Sequence, residues 1–177
     1  MTRMFAVLVV VILVAALSPA QAIHLQAGYF VPDRAFKDVA GSGPIGSVSV
    51  LFQTKYTSSI LAEVTASYWQ TTQKNRIKVR LPEASWCIYA PLASGEDYFF
   101  GPGAGVALTN FRASAMVPNL GSGADRIFLS AGAKASLLAI YDDISLNATY
   151  HFRSTSGLVD SFHFGGFEIA AGYVFRF

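Results

Sequence analysis

The sequence FHFGGFEIAAGYVFRF, residues 162–177, decides the fold of this chain. In an extended strand, successive side chains point to opposite faces. One face of this stretch is apolar or aromatic, and it holds Phe167, Ile169, Ala171, Tyr173, Phe175 and Phe177. The other face combines small residues with one acid and one base, and it holds Gly166, Glu168, Ala170, Gly172, Val174 and Arg176. Because a transmembrane β-barrel strand needs an apolar face toward lipid and a polar or small face toward the interior, this pattern predicts the last strand of such a barrel.

The chain ends on three alternating aromatic residues, Tyr173, Phe175 and Phe177. This ending resembles the C-terminal signature of bacterial outer-membrane barrels, an aromatic last residue with hydrophobic partners two and four positions earlier. The resemblance implies that these residues act as an assembly signal, which the barrel-insertion machinery of the outer membrane reads.

The first residues have the pattern of a secretory signal peptide. Arg3 precedes an unbroken apolar run over 4–17, and the segment ends on Ala20-Gln21-Ala22. A basic start, an apolar centre and an A-x-A ending are the three parts of a signal peptide. The run is shorter than the ~20 residues that a spanning helix requires. We therefore predict a cleavable signal peptide over 1–22, cut after Ala22, and a single barrel domain over 23–177.

The composition narrows the class of protein further. The formal net charge of +2 gives no electrostatic reason to expect nucleic acid as a partner. One cysteine, Cys87, allows no internal disulfide. Hydrophobic residues make up 53% of the chain, yet no helix-length apolar run follows residue 22. Only helices and closed barrels satisfy every backbone polar group inside a bilayer, so the barrel remains.

Alternation and turn residues divide the rest of the chain into strands. We predict an all-β, eight-stranded, antiparallel, up-and-down transmembrane β-barrel. The predicted longer connections are 32–44, 71–76, 113–125 and 154–161, and the predicted shorter ones are 55–58, 93–97 and 141–143. Long loops outside and short turns in the periplasm are typical of these barrels, which predicts that both mature termini lie in the periplasm.

The segment GYFVPDRAFKDVAGSG, residues 28–43, resembles the first strand and loop of the small bacterial outer-membrane β-barrel proteins (OmpA/OmpX/OmpW-like eight-stranded barrels). Ala40 stands where a tyrosine is usual in that group. The segment FFGPGAGV, residues 99–106, resembles the fifth strand of the same barrels. The resemblance implies an integral protein of a Gram-negative outer membrane. Its implied partners are membrane lipid and lipopolysaccharide, periplasmic chaperones and the insertion machinery, and its implied state is a monomer.

The predicted fourth strand changes its alternation in the middle. Ile77, Val79 and Leu81 are apolar on one parity, whereas Trp86 and Ile88 are apolar on the other. A β-bulge at Pro82-Glu83 would reconcile the two halves, because a bulge shifts side chains to the opposite face. We therefore predict a bulge there.

The predicted inward faces carry several charged or titratable residues: Glu63, Lys134, His151, Arg153, Glu168 and Arg176. Since buried charges need partners, we expect these residues to form an interior polar network. Within it we expect Lys134 and Glu168 to pair directly or through a water.

The sequence supports a non-catalytic structural or general surface role, without a cofactor or metal, and leaves two alternatives open. The first is binding or passage of a small apolar molecule, lined by inward aromatic residues: Phe99, Phe111, Phe128 and Phe164. The second is an enzyme acting on lipid A that uses His151, Ser154 and Glu168. Their spacing opposes it, because Ser154 is an odd number of positions from His151 and belongs to the other face. The three histidines, at 24, 151 and 163, lack metal-ligand spacing.

Overall fold

A computed structural model describes residues 22–33, 37, 41–53, 60–72, 77–115, 125–155 and 162–176. Nearly all of the predicted signal peptide, and Phe177, lie outside these residues. The described residues form ten strands: β1 Ala22–Pro32, β2 Gly43–Gln53, β3 Leu61–Thr72, β4 Ile77–Tyr89, β5 Ala93–Ser94, β6 Tyr98–Ala115, β7 Asp125–Tyr141, β8 Ile144–Thr155, β9 Phe162–His163 and β10 Gly166–Arg176. No helix within the described ranges is both long enough and apolar enough to cross a membrane.

The eight long strands close into a ring. Each pairs antiparallel with its neighbour along the chain, in the order β1-β2-β3-β4-β6-β7-β8. Strand β10 pairs with β8 on one side and with β1 on the other, where the register runs from Ala22 opposite Arg176 to Pro32 opposite Gly166. The two short strands add to β6 and β8. The structure therefore confirms the predicted fold class, a closed eight-stranded antiparallel barrel.

The outer wall of the barrel is apolar. Exposed large hydrophobic side chains occur on β1, β4, β6, β7, β8 and β10, and they include Leu25, Tyr29, Trp86, Ile88, Val106, Leu108, Leu129, Leu146, Phe152, Phe167, Ile169, Tyr173 and Phe175. On β10 the exposed and buried positions alternate as the sequence predicted. An apolar surface of this extent is unusual for a soluble monomer and fits contact with lipid.

The predicted bulge in β4 is wrong. Strand β4 pairs with β3 in one unbroken register, from Leu61 opposite Tyr89 to Thr72 opposite Lys78. Val79 and Leu81 therefore point inward with Glu83, and all three are buried. The apolar side chains of Val79 and Leu81 fill one end of the interior, so the alternation needs no change of face.

Two apolar clusters close the interior at opposite ends. The loop end, which carries the connections 33–42, 73–76, 116–124 and 156–161, contains a loop-end cluster of Phe30, Ile45, Trp69, Val79, Leu81, Phe111 and Phe164. The terminal end, where β1 begins and β10 ends, contains a terminal-end cluster of Ala22, Leu51, Cys87, Tyr89, Leu138, Ile140 and Val174. The loop-end connections were predicted to be longer than the terminal-end connections. The difference is weaker than predicted, because the loop-end connection 73–76 is shorter than the terminal-end connections 54–60 and 90–97.

Candidate functional site: the polar interior

Buried polar side chains fill the interior between the two apolar clusters. They form two groups. The central cluster contains Glu83, Lys134, His151, Arg153 and Glu168, with Ser85 and Thr109 at its edge. The His24 cluster contains His24, Ser49, Glu63, Tyr89 and Ser145. Both groups arise because successive inward positions of the strands carry polar residues at this height of the barrel.

Glu83 is the anion at the middle of the central cluster. Its Oε2 accepts hydrogen bonds from Nε of Arg153 at 2.8 Å, from Nη2 of the same guanidinium, and from Oγ1 of Thr109 at 2.9 Å. Its Oε1 lies 3.5 Å from Nζ of Lys134. Lys134 also donates to Oγ of Ser85 at 3.0 Å. Two cations and a hydroxyl thus surround one carboxylate, which offsets the loss of its hydration.

His151 connects this anion to Glu168. Its Nδ1 lies 2.7 Å from Nη2 of Arg153, and its Nε2 lies 2.8 Å from Oε2 of Glu168. An arginine only donates, so Nδ1 accepts and Nε2 carries the proton that is donated to Glu168. This geometry fits a neutral imidazole. The formal charges of the central cluster then cancel, because Glu83 and Glu168 are balanced by Lys134 and Arg153.

The His24 cluster is organised around Glu63. This carboxylate accepts from Oγ of Ser49 at 2.5 Å, from Oη of Tyr89 at 2.7 Å and from Nδ1 of His24 at 3.1 Å. The other ring nitrogen of His24 lies 2.5 Å from Oγ of Ser145. The contacts join side chains from five strands, so the cluster links both sides of the barrel.

The structure brings five of the six proposed network residues into these clusters: Glu63, Lys134, His151, Arg153 and Glu168. Arg176 does not join them. Its exposed guanidinium donates to the carbonyl of Asp142 at 2.6 Å, at the terminal end. Lys134 and Glu168 form no direct pair, which was one of the two predicted arrangements. Glu168 bonds to His151, and the carboxylate beside Lys134 is Glu83, which was not among the predicted interior residues.

The two chemical alternatives find little geometric support. Phe111 and Phe164 pack together in the loop-end cluster, with ring centroids 5.4 Å apart, whereas Phe99 packs on the terminal-end cluster. The side chain of Phe128 lies outside the described residues. His151 and Glu168 are hydrogen-bonded, but Ser154 is exposed on the outer face of β8. Among the described residues, no group of three potential ligands is arranged to hold a metal ion.

Glycines on β6 make room for the interior side chains. Gly103 is directly opposite Tyr89, and a Cβ atom at Gly103 would lie 2.4 Å from Cδ1 of that ring. The missing side chain at Gly103 leaves room for the Tyr89 ring, whose hydroxyl donates to Glu63. The residue that needs this space is on the adjacent strand, β4.

A closed eight-stranded barrel with an apolar wall and a polar, side-chain-filled interior has the fold of the small outer-membrane barrels. The chain is similar to Neisserial surface protein A (NspA), with a TM-score of 0.55 and 14% identity over 88% of this chain and 96% of that chain. Ail, the attachment invasion locus protein of Yersinia pestis, gives a TM-score of 0.47 with 16% identity over 88% and 99% of the two chains.

The N-terminal β-barrel domain of Pseudomonas aeruginosa OprF gives a TM-score of 0.48 with 15% identity over 88% of this chain and 98% of that chain. The comparison with NspA supports the fold. No protein-family model and no curated protein matches the chain.

Proposed function

We propose that this chain is a non-catalytic outer-membrane barrel with a structural or general surface role, closed to the flow of solutes. The observation that carries this proposal is the filled interior. Trp69, Phe30 and Phe164 at the loop end, His151 in the centre, and Tyr89 and Leu138 at the terminal end are all less than 2% exposed. An eight-stranded barrel has room for little more than its own side chains.

The proposed location is the outer membrane, with the loop end outside and both mature termini in the periplasm. The apolar outer wall, the predicted signal peptide over 1–22 and the aromatic residues at the end of the chain support this placement. In barrels of this kind, long connections face the outside and short turns face the periplasm. The connections 33–42 and 116–124 at the loop end, against the two-residue turn 142–143 at the terminal end, favour this orientation.

The interior also argues against passage of an apolar molecule. Such a molecule would have to cross the layer that contains Glu83, Arg153 and Lys134, where every charged group is tied to a partner. Breaking buried ion pairs costs several kcal/mol each. The apolar clusters at the two ends are therefore separated by a barrier.

Planar-bilayer conductance of the refolded barrel tests the closed interior. We expect no stepwise conductance from the unmodified protein. A variant with Trp69→Ala, Arg153→Ala and Tyr89→Ala removes one large side chain from the loop-end cluster, one from the central cluster and one from the terminal-end cluster, so it should give measurable steps. Heat-dependent mobility on gels would establish that both proteins are folded.

Conductance steps of equal size from the unmodified protein and the triple variant would contradict the proposal. Lipid mass spectrometry of cells that overproduce the protein provides the test of catalysis. We expect lipid A of unchanged mass, and a modified lipid A that depends on the protein would contradict a non-catalytic role.

A further inference from the structure

The outer wall carries one polar row that the apolar surface does not explain. Gln70, Arg80 and Arg112 lie on the neighbouring strands β3, β4 and β6. Gln70 is directly opposite Arg80, and Arg80 is directly opposite Arg112. The adjacent residues Trp69 and Phe111 are buried inside the barrel, so the row faces outward.

Neither arginine has a counter-charge in the described part of the chain. Neither guanidinium makes a hydrogen bond or ion pair with another described residue, and the Nε atoms of both Arg80 and Arg112 are buried without a partner. The acidic residues described on these three strands, Glu63 and Glu83, point inward. Like charges directly opposite each other on a sheet are unfavourable, so an external anion would stabilise the pair.

The row lies at the loop-end border of the apolar wall. On β6 the last strongly exposed apolar side chain is Leu108, and Arg112 is about 13 Å further along the strand at ~3.3 Å per residue. On β4 the exposed Trp86 is likewise further from the loop end than the half-buried Arg80. At the border of the apolar wall, and in the proposed orientation, these side chains would be at the depth of lipid headgroups.

We propose that Arg80 and Arg112 bind a phosphate group of lipopolysaccharide. Guanidinium groups present planar, paired N–H donors that match phosphate oxygens. Gln70 adds a donor, because its Oε1 already accepts from Oη of Tyr68 at 2.9 Å and its amide nitrogen remains available.

Asn110 lies beside Arg112 on the same face, and its Oδ1 is buried without a hydrogen-bond partner. A phosphorylated saccharide carries phosphate acceptors together with hydroxyl and amide donors, so it would satisfy both the arginines and this oxygen. The choice of lipopolysaccharide rests on the proposed orientation, which places the loop end in the outer leaflet.

Native mass spectrometry of the folded barrel in detergent tests the site with three probes: lipopolysaccharide, the same lipid after enzymatic dephosphorylation, and phosphatidylglycerol. We expect the unmodified protein to retain intact lipopolysaccharide at least about tenfold better than the dephosphorylated form, as removal of charge-assisted hydrogen bonds predicts. Phosphatidylglycerol should bind more weakly than lipopolysaccharide. Millimolar inorganic phosphate should not displace the bound lipid.

The variant Arg80→Gln with Arg112→Gln should lose this preference, whereas Arg176→Gln, at the terminal end, should keep it. Equal retention of intact and dephosphorylated lipid by the unmodified protein would overturn the proposal, and this comparison requires no variant to fold. Displacement by inorganic phosphate, or stronger binding of phosphatidylglycerol, would overturn the assignment to lipopolysaccharide.

The binding assay is independent of the orientation in cells. Orientation is tested by labelling a Ser156→Cys variant, made in a Cys87→Ser background, with an impermeant thiol reagent on whole cells. Labelling supports the proposed placement of the loop end. Absence of labelling in correctly folded, membrane-extracted protein would contradict that placement while the binding result still reports on the phosphate site.

Discussion

Glu83 is the residue on which the central cluster depends. Its carboxylate is the acceptor for Arg153 and Thr109, and it lies within ion-pair distance of Lys134. These partners lie on three different strands, β8, β6 and β7, and Glu83 itself is on β4, so a single acidic side chain links four strands of the ring. Loss of its charge leaves two buried cations with too little negative charge nearby.

We expect Glu83→Gln to lower the free energy of unfolding by about 3–5 kcal/mol, the cost of breaking a buried charge pair. The size of the side chain is retained, so the effect reports on charge. Urea unfolding in detergent micelles measures it. Glu96→Gln, an exposed position in the connection 90–97, is the matched control and should change little. A similar effect for both substitutions would show that Glu83 is not electrostatically coupled to its neighbours.

Lys134→Met combined with Glu83→Gln should cost less than the sum of the single changes, because removal of both partners leaves no unpaired charge between them. The same lysine change combined with Glu168→Gln should be closer to additive, because Glu168 is bonded to His151. Stronger coupling of Lys134 to Glu168 than to Glu83 would instead support the pairing that the sequence alone suggested.

Sequence alternation predicted which residues point inward, but not which of them meet. Glu63, Lys134, His151, Arg153 and Glu168 all have inward parity in the sequence, and all are in the interior clusters. Partner choice depends on the tilt of the strands and on their register around the ring, which no local pattern encodes. Arg176 has inward parity too, but the strand ends there and its side chain reaches the turn at Asp142.

At the scale of single strands, β4 shows why the prediction of a bulge failed. The alternation rule assumes that an inward face is polar along its whole length. Near the loop end the interior is apolar, so Val79 and Leu81 belong inside, and Arg80 belongs on the wall. The change of pattern in the sequence marks a change of interior environment along one continuous strand.

Strand β6 supplies a test of how strand pairing and interior packing depend on each other. We expect Gly103→Ala to destabilise the barrel by about 1–3 kcal/mol, because the new Cβ would overlap the Tyr89 ring. Ala104→Val, one residue along and on the lipid side, is the control, and it should change stability by less than about 0.5 kcal/mol. Urea unfolding of the two variants gives the comparison. Equal stabilities would show that Tyr89 can move without loss of its bond to Glu63.

At the scale of the whole molecule, we expect assembly to depend on the end of the chain. We expect deletion of Phe177 to lower the yield of folded barrel in the outer membrane more than deletion of Ser156 does. The terminal aromatic residue is the proposed assembly signal together with Tyr173 and Phe175, whereas Ser156 follows β8 in a loop-end connection. The fraction of heat-modifiable protein in outer-membrane fractions measures the yield. Equal fractions from the two deletions would remove Phe177 from the signal.

The pairing of β1 with β10 also determines when the barrel can close during biogenesis. The first and the last strands of the domain are direct partners, so the ring cannot close before the final residues have been exported. Until then both strands present unpaired N–H and C=O groups, a template for association with other chains. Contacts between such distant segments form slowly. We therefore expect the exported chain to need protection of its two open edges throughout its passage across the periplasm.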